Sequence, residues 1–393
     1  MQTPNKFALT AIAIVVSTFS ATAQTNNEPG LFAEAKTTIA HDDNIFRVTD
    51  ELAQSDSYLR VAPELMAVGG IGKHRFSLSY TGDYAKFSDA DDADFNDHDL
   101  RARIDLEHSL RFSTKFEAGL RKDHEDPGTL NRIQLNITEY NKYDQEFFSA
   151  GFAYGSTQAT GRLSFDYTKT DNDYTTNDLD YLDYVSDQLK SRFAYKIAPN
   201  TRLYAEVIIS EFDYDAGIDF ELDNRYKRYR AGITWDFTGK LKGDVNLGYQ
   251  DRNYELDTLR DIDGLAYDAD ITWSVNTFTK LTAIAKRESI DSSLPNSEDA
   301  GGFLRTSYGV RFSHELNELW RITANVGVAD DELVFNSFRE DKRSSYKAGM
   351  EYDLIRQVTL AVEYNYETRD SSQSIADYKA NILSLSVTVS LEN

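Results

Sequence analysis

The strongest constraint on the fold is a strict alternation of side-chain type near the C-terminal end of the chain. In residues 358–367 and again in 383–391, every second residue is apolar and each residue between is small or polar. A β-strand turns successive side chains to opposite faces, so each segment predicts a strand with one apolar and one polar face. The polar run 368–374 predicts the connection between them. Similar alternation recurs in earlier segments of the chain, at 100–107, 229–237, 267–275 and 321–328.

The first 23 residues predict export from the cytoplasm. Lys6, an apolar run from Phe7 to Phe19 and the small-residue sequence Ala21-Thr22-Ala23 have the layout of a secretory signal peptide. We expect cleavage after Ala23, which leaves residues 24–393 as one domain. The alternative is an uncleaved membrane anchor, although the apolar run is near the lower length limit for a spanning helix. The chain contains no cysteine, which suits an oxidising compartment.

Export and two-faced strands together predict an all-β fold, a transmembrane antiparallel up-and-down β-barrel. Backbone polar groups in hydrocarbon must be bonded within the protein, and a sheet achieves this only when it has no free edge. The mean hydropathy of −0.53 agrees, because only one face of each strand meets lipid. The pattern predicts about 18 strands, with 16 left open, in which short turns alternate with long acidic connections. An even count places both termini in the periplasm and the longer loops outside. The export signal together with a barrel predicts a location in the cell outer membrane.

Tyrosines near the predicted strand ends favour this interpretation over a soluble β-sandwich, whose strands also alternate. Amphipathic rings are favoured at the boundary between membrane and water. The candidates for such an aromatic girdle are Tyr80, Tyr84, Tyr154, Tyr167, Tyr249, Tyr352, Tyr364 and Tyr366. We therefore expect outer-membrane lipid and lipopolysaccharide to contact the outer face of the barrel.

The polar faces of the predicted strands mix both signs of charge. The lumen-facing candidates are Arg101, Arg103, Glu117, Arg121, Arg230, Asp236, Arg311, Arg321, Glu351 and Glu363. Two interpretations stay open: ion pairs between strands that stiffen the wall, or a polar channel whose charges select solutes. A barrel of this size is wide enough for an aqueous pore unless a loop folds in. The connections 125–141, 172–183 and 291–301 are long enough to constrict it.

The net charge of −23 argues against nucleic acid as a partner, since phosphate binding needs clustered Lys and Arg. We expect the acidic intervals to be solvated loops, and the alternative is that they bind Ca²⁺ or Mg²⁺. These intervals are 89–97, 171–183, 213–223, 257–263 and 330–331. No interval matches a complete EF-hand loop, so the sequence predicts no metal site. The histidines lack the spacing of a metal pair or a nucleophile motif, so we expect no catalytic residue and no cofactor.

Short motifs in the C-terminal hairpin resemble a known group of proteins. Segments 363–372, with sequence EYNYETRDSS, and 377–381, with sequence DYKAN, are similar to the end of β-barrel porins found with exopolysaccharide biosynthesis genes. Segments 41–46 and 286–289 are similar to earlier parts of the same proteins. The resemblance implies an outer-membrane barrel that helps a surface polysaccharide leave the cell. It also implies polysaccharide and periplasmic export components as partners, and it carries no catalytic residues.

Three functions are therefore open from the sequence. The first is a porin-like barrel that takes part in exopolysaccharide export or surface polysaccharide assembly. The second is a general diffusion porin for small hydrophilic solutes. The third is a structural or adhesive barrel whose acidic loops bind partners or divalent cations.

Overall fold

The computed structural model describes residues 29–129, 139–215, 222–237, 239–292, 301–333 and 339–392. The signal peptide 1–23 lies outside these residues, so cleavage after Ala23 stays a prediction. Eighteen β-strands account for most of the described chain. They are β1 (Gly30–Asp42), β2 (Asp56–Ile71), β3 (His74–Phe87), β4 (Phe95–Glu107), β5 (Phe112–His124), β6 (Lys142–Tyr154), β7 (Gly161–Tyr174), β8 (Tyr184–Ala198), β9 (Thr201–Tyr214), β10 (Asn224–Phe237), β11 (Leu241–Tyr254), β12 (Ile262–Ser274), β13 (Thr279–Ser292), β14 (Gly301–Glu315), β15 (Trp320–Leu333), β16 (Glu340–Ile355), β17 (Val358–Ser371) and β18 (Tyr378–Glu392).

The strands form one closed antiparallel sheet. Each pairs with the strands before and after it in sequence, and β18 pairs with β1 from Phe32 opposite Glu392 to Asp42 opposite Ile382. This closure confirms the predicted all-β up-and-down barrel and the count of 18 strands over 16. No helix among the described residues is both long and apolar enough to cross a membrane.

The alternation in β18 is reproduced as two faces of the barrel wall. Leu383, Leu385 and Leu391 point outward and are 55%, 61% and 60% exposed. Ser384 and Ser386 point inward and line the interior cavity. An outer wall of exposed Leu and Val is what a sheet facing lipid requires, because its backbone groups are already paired within the sheet.

The connections differ in length at the two ends of the barrel. At one end, called here the short-turn end, connections have two to six residues; at the other, the long-loop end, they have 6 to 17. Both Gly30 and Glu392 lie at the short-turn end, because β1 starts and β18 finishes there. The described chain therefore begins and ends at the same rim.

Side-chain oxygens stabilise three of the short turns. Ser109, Asn276 and Asn317 each accept hydrogen bonds from the backbone N–H groups two and three residues further on, at 2.8–3.2 Å. Ser and Asn favour turns through this local bond. The β4–β5 turn accordingly occupies 108–111 around Ser109, and Phe112 is the first residue of β5.

Five of the long loops end on an aspartate that closes the loop. This residue stands directly before the next strand, and its Oδ1 accepts a hydrogen bond from the backbone N–H of the last residue of the preceding strand. The pairs are Asp94 with Phe87 at 2.7 Å, Asp183 with Tyr174 at 2.6 Å, Asp223 with Tyr214 at 2.6 Å, Asp261 with Tyr254 at 3.0 Å and Asp377 with Ser371 at 2.7 Å. Each carboxylate supplies the hydrogen-bond acceptor for a backbone N–H at the end of a strand, where no carbonyl of a neighbouring strand is available.

The expectation that the acidic intervals are solvated loops is therefore wrong for part of them. The loop-closing aspartates bond the backbone instead. Asp330 and Asp331 lie within β15, and Asp331 is 1% exposed and paired with Arg305 at 2.6 Å. The sequence could not distinguish these acids from solvated ones because their partners are distant in the chain or are backbone groups.

Cysteine labelling tests the two faces. Since the chain has no native cysteine, Ser384→Cys and Leu385→Cys introduce single thiols on the inner and outer faces. We expect a charged, water-soluble thiol reagent to label residue 384 and to leave residue 385 unlabelled in liposomes, because acyl chains exclude the reagent. Labelling of both with detergent present is the control. Equal labelling of both positions in liposomes would contradict the orientation of β18.

Loop closure by aspartate is tested at Asp183. Asp183→Ala leaves the Tyr174 N–H without its acceptor, and we expect local destabilisation of the β7–β8 loop by about 1–2 kcal/mol. Limited proteolysis of folded barrels should show faster cleavage in this loop, with Asp183→Asn intermediate because an amide oxygen still accepts. The matched control is Asp180→Ala in the same loop, because the Asp180 side chain forms no hydrogen bond or ion pair with a described residue. Equal cleavage rates for both alanine variants would rule out the proposed role of Asp183.

Candidate functional site: the barrel interior

The barrel encloses one large cavity of about 3400 Å³. Its lining begins at the short turns, where Leu110, Pro199 and Arg356 contribute, and reaches Arg47 and Arg252 toward the long-loop end. The wall between is formed by the inward side chains of the strands. A space of this size holds many water molecules and small hydrophilic solutes.

The cavity is much less acidic than the chain as a whole. Its lining contains 19 of the 42 Lys and Arg residues and 17 of the 65 Asp and Glu residues. The interior therefore carries nearly balanced charge, while the net charge of −23 resides elsewhere. A lining as acidic as the whole chain would repel anions, and a nearly balanced lining weakens that repulsion.

All ten lumen-facing candidates lie on the inner face. Those that line the cavity are Arg103, Arg230, Asp236, Arg321, Glu351 and Glu363. The other four candidates stand at inward positions of β4, β5 and β14, as the alternation of these strands and the residues opposite them show. They are Arg101, Glu117, Arg121 and Arg311.

Most of these candidates form ion pairs. Arg321 Nη1 lies 2.7 Å from Glu351 Oε2, and Arg103 Nη1 lies 3.7 Å from Glu117 Oε2. Both pairs join neighbouring strands, in agreement with the interpretation that charge stiffens the wall. Arg311 is exposed to the interior and forms no ion pair with a described residue. Ion-paired walls and a polar channel are compatible, because the paired groups still face the cavity.

Near the middle of the barrel, Glu206 gathers three cations. Its side chain is fully buried, Lys190 Nζ lies at 3.5 Å and Arg192 Nη1 at 3.6 Å, and Arg230 Nε donates to Oε1 at 2.6 Å. Arg230 also bonds Asp268 at 2.6 Å. A carboxylate enclosed in this way partly neutralises the positive charge of the wall and holds the three cations in fixed positions.

At the long-loop end, the loops fold inward and bury apolar side chains. One cluster joins the first three long loops through Ile45, Phe46, Ala90 and Tyr140. The second joins the next three through residues of 179–182, 222 and 259, together with the inward-facing strand residues Tyr254, Ile262 and Phe303. Burial raises the pKa of the Tyr140 hydroxyl, which donates to the Ile45 carbonyl at 3.1 Å.

The described residues 125–129 of the β5–β6 loop reach across the interior. Gly128 O accepts a hydrogen bond from Arg343 Nη1 of β16 at 2.6 Å and from Tyr378 Oη of β18 at 3.2 Å. Around the ring, β16 lies seven strands from β5 and β18 lies five strands from it, so the contact tethers the loop across part of the lumen. This agrees with the expectation that the connection 125–141 constricts the pore, as far as its described residues 125–129 and 139–141 are concerned.

Buried ion pairs surround the tether. Arg343 Nε lies 3.1 Å from Asp331 Oδ2, and Arg47 of the first long loop bonds Asp42 at 2.8 Å and Glu367 at 3.0 Å. Such pairs are stable only when each partner keeps its complement, so the loop and wall depend on each other. The second predicted constriction, 172–183, contributes Leu179 and Leu182 to an apolar cluster. Most of the third, 291–301, lies outside the described residues.

The eight tyrosines proposed for a girdle all lie on the outer face. Tyr154 and Tyr352 lie near the short-turn end, and Tyr352 stacks against Trp320 with ring centroids 4.6 Å apart. Tyr80, Tyr167 and Tyr364 instead lie in the middle of their strands, so their placement at strand ends is wrong. The Tyr364 hydroxyl extends to Asn381 Oδ1 at 2.6 Å, toward the long-loop end. A girdle formed by these rings stays a prediction.

Metal-ligand types converge at one place among the described residues, where atoms of Asp97, Asp123 and His124 lie within 4.8 Å of one another. His124 Nδ1 lies 2.7 Å from Asp97 Oδ2, and its ring stacks on Phe95 and Tyr140. These contacts account for the arrangement as packing beneath the long loops. The sequence had named no metal site, and the geometry adds no further ligand to this group.

Sequence reasoning missed the residues that hold the tether. Arg343 and Tyr378 lie on the inner face at the strand ends, where only alternation points to them. Arg343 stands eight residues before the candidate Glu351 on β16 and shares its face. Extending the alternation of each strand to its end would have identified Arg343. No signal in the sequence pairs it with Gly128, which is 215 residues away.

Comparison with known proteins gives one family and several structures. A family model described as Putative beta-barrel porin 2 matches residues 31–391. The outer membrane protein opdK from Pseudomonas aeruginosa is similar with TM-score 0.54 and 11% identity, covering 92% of this chain and 99% of that one. From the same organism, OpdO gives 0.52 and 13% over 93% and 97%, and OccK2 (OpdF) gives 0.51 and 12% over 93% and 98%. At these identities the likeness concerns the fold. None of the curated proteins matches this sequence.

The tether is tested by Tyr378→Phe, which removes only the hydroxyl that donates to Gly128 O. We expect the described part of the β5–β6 loop to open more often, by about 1 kcal/mol, and its amides to exchange hydrogen about fivefold faster. Mass spectrometry of exchange in folded barrels measures this at 125–129. The control is Tyr58→Phe, because the Tyr58 hydroxyl forms no hydrogen bond with a described residue and its ring also packs at the long-loop end. Unchanged exchange in Tyr378→Phe would show that this bond does not hold the loop.

Proposed function

Because the chain belongs to the Putative beta-barrel porin 2 family, we propose that it is an outer-membrane channel for the diffusion of small hydrophilic solutes. Porins are channels rather than enzymes. The observation that supports this proposal most directly is the polar cavity of about 3400 Å³ inside a closed 18-stranded wall. In our proposal the long-loop end faces outside and the short-turn end, with both ends of the described chain, faces the periplasm.

The inward loops supply the size limit of such a channel. A barrel of 18 strands leaves a wide lumen by itself, and the tether at Gly128 narrows it. Small solutes pass beside a loop held in this way, while large ones are excluded. The nearly balanced charge of the lining keeps the lumen hydrated without a strong barrier to either sign of ion.

A second candidate is export of an exopolysaccharide, which the C-terminal motifs imply. The observation that favours it is the apolar packing of six long loops at the proposed outer mouth. A channel that opens only for its polymer would keep its loops packed together while no polymer is present. A general diffusion porin stays open and does not require such packing. In this candidate the loops move outward when the polymer passes.

Conductance in planar bilayers tests these proposals. We expect purified mature protein to give a steady, ohmic conductance in KCl, which supports diffusion, and Tyr378→Phe to increase current fluctuation because the loop is less firmly held. A wild-type barrel that is closed and conducts only after Arg343→Ala would favour the gated export channel instead. Tyr58→Phe serves as the control for both. Correctly folded barrels that never conduct, with or without the tether, would contradict a channel function.

A further inference from the structure

We propose that the channel contains an anion-binding subsite at its short-turn end, formed by Arg162, Lys196 and Arg202, and that it binds the carboxylate of small solutes in transit. This inference rests on the proposed channel function and names the substrate class. The three residues lie on β7, β8 and β9, which are consecutive in the wall.

The three cations are placed together by the strand register. Lys196 lies directly opposite Arg202 across β8 and β9, and Arg162 lies opposite Ala194 on the other side of β8. All three belong to the inner face, and the charges of Arg162 and Arg202 are near enough to repel each other. Like charges directly opposite on neighbouring strands destabilise a sheet, so this placement needs a compensating interaction.

No described carboxylate supplies that compensation, since none forms an ion pair with any of the three residues. The donors bond neutral groups of the β6–β7 turn instead. Arg162 Nη1 donates to Gly155 O at 3.2 Å, Arg202 Nη2 donates to Ala159 O at 3.0 Å, and Lys196 Nζ donates to the Gln158 side chain at 3.4 Å. Arg202 Nη1 is buried and has no hydrogen-bond partner.

The acids nearby form their ion pairs with other cations, although the buried Oδ1 of Asp236 has no hydrogen-bond partner. Asp166 lies on β7 but pairs with Lys115 of β5 at 2.8 Å. Asp236, on β10 beside Arg202, lies 3.4 Å from Lys242. Glu206 lies four residues after Arg202 on β9, and its carboxylate is enclosed by Lys190, Arg192 and Arg230 near the middle of the barrel. The triad therefore lacks the direct ion pairs that Arg103, Arg121 and Arg321 form, and Asp166 attracts Arg162 only from beyond ion-pair distance.

An anion from solution is the partner that this geometry accepts. Guanidinium groups bind carboxylates through paired N–H donors, and neither arginine of the triad forms an ion pair with a described carboxylate. Arg162, Arg202 and Gln158 line the cavity, so a solute in the lumen reaches them directly. The turn carbonyls hold the arginine side chains in place, which reduces the entropy lost on binding.

The test uses the full mature chain in planar bilayers. The current in KCl is measured with galacturonate, with the uncharged sugar galactose and with phosphate. The variant Arg162→Gln/Lys196→Gln/Arg202→Gln removes the subsite. Arg356→Gln is the control, because Arg356 lies at the same end, lines the cavity from the β16–β17 turn and forms no ion pair with a described residue. Arg162→Lys/Arg202→Lys keeps the charge and removes the planar fork.

We expect galacturonate, and not galactose, to reduce the wild-type current. Its apparent dissociation constant should rise about tenfold in the triple Gln variant, less in the double Lys variant and not at all in Arg356→Gln. Equal block of the wild type and the triple variant would overturn the subsite, as would an equal loss in Arg356→Gln. Stronger block by phosphate than by galacturonate would overturn the assignment to carboxylates.

The two proposals fail separately. If the barrel folds and never conducts, the channel function fails, and calorimetric titration of galacturonate into detergent-solubilised protein still measures the subsite. Binding that is lost in the triple Gln variant and retained in Arg356→Gln would support the subsite without a pore. An open pore with no difference between these variants would leave the channel function standing and remove the subsite.

Discussion

The pairing of β1 with β18 is the interaction on which the rest of the structure depends. A sheet with a free edge exposes unpaired N–H and C=O groups, and in hydrocarbon each of these costs several kcal/mol. Joining Ala33–Asp42 to Ile382–Leu391 removes the edge. Once the ring is closed, the two-residue period of the strands sorts the side chains. Apolar residues face outward toward lipid, and polar residues face inward and line the cavity. In a soluble globular protein the apolar residues would instead fill the interior.

Electrostatics then divides the acidic chain into three environments. Acids on the inner wall pair with Arg and Lys, as Glu351 does with Arg321. Acids at the end of long loops bond backbone N–H groups, as Asp183 does with Tyr174. Acids such as Asp91 face solvent. This division explains how a chain with a net charge of −23 encloses a lumen with nearly as many acids as bases, and why a small local excess of base at Arg202 is significant.

The loops and the lumen depend on each other at the long-loop end. The β5–β6 loop is held across part of the lumen because Gly128 O receives two donors from β16 and β18, and the same Arg343 completes the pairing of Asp331. Apolar side chains such as Phe46 and Leu182 pack on the inner side of the strands rather than above them. The constriction is consequently part of the folded core at this end, and its opening requires that packing and ion pairs separate together.

Alternation in segments such as 358–367 and 383–391 was sufficient to predict strands, their inner and outer faces, the closed barrel and the count of 18. The reason is that these properties follow from the two-residue period and from backbone hydrogen bonding, both of which are local. The sequence by itself also identified the inner face for residues such as Arg230 and Glu363. Only the tertiary structure decided which inner charges meet, that Asp331 is buried and that Gly128 lies against Arg343 and Tyr378. It also decided that Arg162, Lys196 and Arg202 share one region without an ion pair to a described acid. Those contacts join strands far apart in sequence, and their partners are set by ring closure and register, which no local pattern records.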